Sequence, residues 1–104
     1  MHVIIEDEYL KALFNDGISA GKSQFNREIE LGFIKRITQI ENAVNTNDLR
    51  KIGSLHFEKL SGKLDGKYSI RVNKAYRIIF RIEKDGNNIR LEIICVEELS
   101  NHYS

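Results

Sequence analysis

Between residues 25 and 44 the apolar positions Phe25, Ile29, Phe33, Ile37, Ile40 and Val44 recur at steps of three or four. That is the repeat of one helical face, and it predicts a helix from about Ser23 to Val44 with a stripe to lay on a sheet. Ser23 or Asn26 is the expected cap, and "NTND" marks the exit. Upstream, the pattern predicts a short strand at His2 to Ile5 and a helix from about Glu6 to Asn15. Gly17 closes that helix, because glycine takes the left-handed conformation without a Cβ clash, and "GISAGKS" follows as a loop.

The second half of the chain changes period from about 3.6 to 2, the mark of strands. Helices first and strands afterwards predict an α+β fold, two N-terminal helices packed on a mainly antiparallel sheet. Asp85-Gly86 signals a two-residue hairpin turn. With those two as the turn, Ile82 pairs with Ile89, Phe80 with Leu91, Arg81 with Arg90, Ile79 with Glu92 and Arg77 with Ile94. A three-residue loop at Asn73-Lys74-Ala75 sets the preceding hairpin, pairing Tyr68 with Phe80, Ile70 with Ile78 and Arg71 with Arg77.

Alternation then gives these strands two unlike faces. One is Tyr, Ile, Phe and Leu for the helices to cover, and Tyr68, Tyr76, Phe80 and the lone Cys95 read as structural residues on it or at its edges. The other presents Arg71, Arg77, Arg81 and Arg90. Like charges paired across a ladder are unfavourable, so a face that carries them is a candidate anion site. Solvent and neighbours such as Glu92 offer the simpler account, in which the arginines are merely neutralised.

Overall composition adds limits. The 104 residues, 41% hydrophobic, hold one core and therefore one domain, residues 1–104. Net charge is only +1, but residues 59 to 81 carry Lys59, Lys63, Lys67, Arg71, Lys74, Arg77 and Arg81 against Asp65 alone, a local +6. Such a stretch is the electrostatic footprint of an anionic partner. One cysteine and three dispersed histidines give neither a disulfide nor a metal-ligand spacing, so no metal or cofactor is expected and the chain reads as cytoplasmic. Neither a leader nor the roughly 20-residue apolar run of a membrane span is visible. There is no phosphate-binding glycine loop, Walker pattern or Ser-His-Asp order.

The stretch "LHFEKLSGKLDGKYSIRVNKAYRIIFRI", with "LKALFNDGISAGKS" before it, resembles the HigB-type toxins of the RelE/ParE superfamily, a likeness that covers residues 9 to 82. The resemblance implies a RelE-like fold and the toxin of a two-gene toxin–antitoxin system. It further implies an endoribonuclease that cuts mRNA in the ribosomal A site, neutralised by a HigA-like helix-turn-helix antitoxin, with operator DNA engaged only through that antitoxin. Such cleavage needs a proton acceptor for the ribose 2′-hydroxyl, a proton donor for the leaving 5′-oxygen, and positive charge for the transition state.

Carried over residue by residue, Arg77 falls on the family's phosphate-binding arginine and Arg71 on the neighbouring strand position. Where several HigB-type chains have a catalytic His and Lys around a Leu-Lys-Gly triplet, this chain has Glu58 and Ser61. His56, two residues upstream, reaches the same face if residues 54 to 60 are extended. In the "SNHYS" tail, His102 is an expected acid or base and Tyr103 an expected stacking or positioning group. Lys59, Lys63, Lys67, Lys74, Arg81 and Arg90 are expected to hold RNA and ribosome. Two alternatives stay open: a ParE-like gyrase inhibitor, and a degenerate module that only binds its antitoxin.

Overall fold

The computed structural model describes residues 1–85 and 88–101. In chain order it runs β1 (His2–Ile5), α1 (Glu8–Asp16), α2 (Arg27–Asn42), α3 (Thr46–Lys51), β2 (Glu58–Lys59), β3 (Tyr68–Arg71), β4 (Arg77–Asp85) and β5 (Asn88–Ser100), with single 3₁₀ turns at Gly53–Leu55 and Gly62–Leu64. The strands form one sheet in the order β1-β5-β4-β3-β2. β1 lies parallel to β5 and every other pairing is antiparallel.

Local chemistry sets the helix ends. Asp7 caps α1 by accepting from the Leu10 N–H, and Gly17 closes it with φ +77°. Asn26, rather than Ser23, caps α2 by accepting from Ile29 N–H. α2 stops at Asn42, so Val44 leaves the predicted stripe and stands 80% exposed. The stop has a cause: the Val44 N–H is taken by the Asp48 carboxylate, and Asn45 caps α3, a short helix that the periodicity did not predict.

Ile29, Phe33, Ile37 and Ile40 of α2 are buried against the sheet with Leu10 and Leu13 of α1 and with Ile70, Ile78, Phe80, Ile94, Val96 and Leu99 of the strands. Each such burial contributes about 1.5–3 kcal/mol of apolar transfer. α2 comes unusually close to the β3–β4 hairpin at Gly32, where a Cβ would lie 2.6 Å from Val72 Cγ1.

The β3–β4 hairpin has the register expected from a three-residue loop, including Arg71 opposite Arg77. The β4–β5 register does not follow the sequence-based expectation. Arg81 faces Cys95 instead of Arg90, Ile82 faces Ile94, and Arg77 faces Ser100. Two irregularities in β5 cause the slip. Residues 89–91 are extra between the Asp85–Asn88 and Lys84–Glu92 pairs, and Glu97 is extra between the Phe80–Val96 and Ile79–Glu98 pairs. The first puts Ile94 and Val96 into the core and leaves Leu91 53% exposed; the second returns Leu99 to the core. Cys95 is buried as expected, but on the face away from the helices, where it pairs with Arg81.

Candidate active site

The face turned away from the helices carries Ser69 and Arg71 of β3, Arg77, Ile79 and Arg81 of β4, and Ser100 of β5. Its centre is Arg77, only 4% exposed. A guanidinium this dry costs several kcal/mol unless its N–H groups are matched. Arg77 Nε donates to Ser69 Oγ at 2.7 Å, and Nη2 donates to the His56 carbonyl at 2.7 Å while lying 3.3 Å from Glu58 Oε2. Its ion-pair partner is thus Glu58, not Glu92. The Glu92 carboxylate instead accepts from the Thr46 N–H and Oγ1 and from Lys84 Nζ.

β2 is short but well placed. Glu58 pairs with Ser69 in the ladder, so its side chain is on the Arg77 face, whereas Lys59 pairs with Tyr68 and alternates to the other side. The Leu60 N–H donates to the Lys67 carbonyl and closes the strand. Before it, the 3₁₀ turn at Gly53–Leu55 ends in His56 at φ +47° and ψ +54°, a left-handed conformation rare for a non-glycine residue. Residues 54 to 60 are therefore not extended throughout. The His56 side chain is exposed, and what His56 gives Arg77 is its backbone carbonyl.

Arg71 is half-buried beside this centre, and its guanidinium has no ion pair or hydrogen bond among the described residues. Its carbonyl accepts from Arg36 Nε at 2.9 Å, which ties β3 to α2. Lys74 is exposed on the β3–β4 loop, and Lys63 on the turn after β2.

Arg81 is not part of a free basic row. It makes a two-point pair with Glu6 at 2.6 and 2.7 Å and also meets Glu83 at 3.0 Å and Glu97 at 3.1 Å. The hydrogen bonds it donates to Glu6, then to Glu83 and Glu97, hold its proton even more firmly than usual, and the same contact keeps Glu6 below the ordinary carboxylate range. Lys67 is paired with Glu97. Two expected RNA contacts, Arg81 and Lys67, are thus already neutralised by carboxylates. Burial pushes the adjacent Cys95 thiol up, away from the thiolate form.

Among the described residues no group of three or more His, Cys, Asp or Glu side chains is placed to hold a metal. Tyr76 is packed edge-on against Phe25, and Tyr68 and Phe80 stack on one another, so these aromatics serve the core. The side chain of Arg90, and residues His102 and Tyr103, lie outside the described residues. Ser69 and Glu58 were missed as site residues. Ser69 carried a signal, sharing strand parity with Arg71; Glu58 carried one in its match to a family site position, which was read as a departure, while its contact with Arg77, 19 positions away, carried none.

Residues 4–93 match the model of the HigB-like toxin family, described as the RelE-like toxin of the type II toxin–antitoxin system HigB. An uncharacterized protein of Haemophilus influenzae is 36% identical over 87 residues, covering 83% of this chain and 84% of its own length. Toxin HigB-1 of Vibrio cholerae is 32% identical over 81 residues, covering 78% and 83%. In fold, the chain is similar to the YoeB/ParE toxin from Agrobacterium tumefaciens, with a TM-score of 0.55 at 13% identity over 99% of this chain and 100% of that one. It is also similar to a chain of the heterotetrameric YoeB–YefM toxin–antitoxin complex from Staphylococcus aureus, with a TM-score of 0.51 at 19% identity over 99% and 98%.

Proposed function

Because the chain belongs to the HigB-like family of RelE-like toxins from type II toxin–antitoxin systems, we propose that it is a ribosome-dependent mRNA endonuclease held inactive by a HigA-like antitoxin. The observation that carries this reading is the buried Arg77, oriented by Ser69, the His56 carbonyl and Glu58, with Arg71 directly across the ladder. A phosphodiester in cleavage gains negative charge on its non-bridging oxygens, and prealigned guanidinium groups meet that charge without reorganising. Ser69 and the His56 carbonyl fix the Arg77 plane, and Arg71 supplies a second cation.

In this reaction the ribose 2′-oxygen attacks the adjacent phosphorus and the bond to the 5′-oxygen breaks, leaving a 2′,3′-cyclic phosphate. His102 and Tyr103 are assigned to the acid–base and positioning work at the leaving group. Supporting that assignment, Ser100 ends β5 opposite Arg77, so the chain continues from the site's own edge. Lys63 and Lys74 extend the positive surface for the ribosome, and Lys59 adds charge on the other side of β2. The antitoxin reading draws on the YoeB–YefM complex among the structural neighbours. No helix among the described residues is long and apolar enough to cross a membrane, in keeping with a cytoplasmic site of action.

Induced expression tests this directly. Growth and protein synthesis are expected to stop within minutes, co-expression of the partner antitoxin to restore them, and purified protein to cut mRNA only when ribosomes are present. Arrested growth with intact mRNA and inhibited gyrase would replace the nuclease reading with the gyrase one.

A further inference from the structure

Beyond Arg77 the arginine-bearing face turns acidic, and the cause is the second irregularity in β5. Val96 lies in the core, so strict alternation would send Glu97 to the arginine face, Glu98 inward and Leu99 outward. The extra residue between the Phe80–Val96 and Ile79–Glu98 pairs changes this. Glu98 shares the side of Ile79, the face away from the helices, and Leu99 returns to the core. Two successive carboxylates, Glu97 and Glu98, therefore stand on the face that carries Arg77.

Glu97 is engaged there with two cations. Its Oε2 accepts from Arg81 at 3.1 Å and its Oε1 pairs with Lys67. Glu6, brought in by the turn after β1, holds Arg81 at two points, and Glu83 accepts from the Arg81 Nε. Lys67 and Arg81 thus meet three carboxylates, a local −1. Folding does not require so many, because partly exposed ion pairs contribute little and carboxylates gathered on one guanidinium repel one another. What the cluster changes is the surface offered to an anion. Arg81 lies four residues along β4 from Arg77, about 13 Å, a span that single-stranded RNA crosses in a few nucleotides.

Resting on the nuclease reading above, we propose that Glu97, turned outward by the β5 irregularity, and Glu6 are specificity-determining residues that act against free RNA. They withdraw Lys67 and Arg81 from phosphate, so an RNA strand finds open positive charge only toward the Arg71–Arg77 end of the face. A strand that runs on along β4 meets paired cations and like charge. Affinity for unbound message is thereby kept low, and the ribosome is left to present the scissile phosphate. Selection of this kind comes from a repulsive element rather than an added contact. Glu97 carries more of it than Glu6, because it meets both cations.

The test is equilibrium binding, without ribosomes, of a labelled 2′-O-methyl single-stranded RNA, which has no hydroxyl to attack. Anisotropy is followed across a salt series for wild type, Glu97→Gln and Glu6→Gln, each shown folded by circular dichroism and thermal melting. Glu97→Gln is expected to bind about fivefold more tightly at low salt. Its slope of log affinity against log salt should steepen by about 0.7, the single-strand value for one freed cation. Adding Lys67→Ala to Glu97→Gln should cancel that gain, while Lys67→Ala alone leaves wild-type binding unchanged. Glu6→Gln makes the same test from another element, its gain being cancelled by Arg81→Ala, and it decides the matter should β5 not tolerate Glu97→Gln. Unchanged affinity and slope in the folded glutamine variants would overturn the proposal. A gain that survives removal of the freed cation would overturn it too, since it would report only a change in net charge. Binding is read here without cleavage, so loss of the nuclease reading is a separate result, seen as folded wild type that leaves ribosome-bound message intact.

Discussion

Arg77 Nη2 donates to the carbonyl of His56 at 2.7 Å, and His56 is the non-glycine residue with positive φ among the described residues. The two features support each other. A left-handed turn costs on the order of 1 kcal/mol for a residue with a Cβ, and here it aims a carbonyl at a buried cation that needs an acceptor.

Ser69→Ala removes the partner of Arg77 Nε, whose acceptor lies at 2.7 Å in a fully buried setting. Leaving a buried charged donor without a partner costs about 1–3 kcal/mol. Urea denaturation should show a lower midpoint with an unchanged slope, and cleavage should slow because the guanidinium loses its orientation.

Arg71 and Arg81 should separate in a salt titration of ribosome binding. Arg71 is unpaired among the described residues, whereas Arg81 is held by Glu6, Glu83 and Glu97. Arg71→Ala should weaken binding and lower the slope of log affinity against log salt by about one. Arg81→Ala should leave that slope nearly unchanged but lower the melting temperature, since three carboxylates are then left facing one another.

Acid stability should depend on Glu92. Burial opposes its charge, but hydrogen bonds from the Thr46 N–H, Thr46 Oγ1 and Lys84 outweigh that and keep its pKa below the usual carboxylate value. The sign follows: the stabilisation is present above the unfolded-state pKa, about 4.3, and disappears as pH falls through the lower folded-state value. Glu92→Gln should be less stable at pH 7 and should lose less stability than wild type between pH 5 and pH 3, as read by thermal melting.

Gly32→Ala sets helix propensity against packing. Alanine favours the helix by roughly 1 kcal/mol, but its methyl meets Val72 Cγ1, and a β-branched side chain has little room to turn aside. Overpacking of this kind costs about 1–3 kcal/mol, so the variant should be less stable than wild type. Adding Val72→Ala should recover the loss; a stabilised single variant would show that the contact yields easily.

What was legible in the sequence was local. The α2 stripe, the first helix with its stop at Gly17 and the β3–β4 register follow from spacing and one loop, so Arg71 opposite Arg77 was readable from the sequence. The β4–β5 register was not, because two irregularities in β5 shift which residues face the core, and a pattern of period 2 contains no mark for an inserted residue. Long-range partners were equally hidden. Glu6 reaches Arg81 across 75 positions, and Thr46 takes Glu92 across 46, so part of a basic row that looked continuous in sequence is neutralised in space.

The most direct measurement is cleavage mapped by primer extension, with purified toxin added to ribosomes stalled on a defined mRNA, for wild type and Arg77→Ala. Both proteins must first be shown folded by circular dichroism. The account predicts cuts confined to the A-site codon with wild type and a loss of at least 100-fold with Arg77→Ala, consistent with removing a transition-state charge contact. Equal cutting by both proteins, or an intact message with folded wild type, would contradict it.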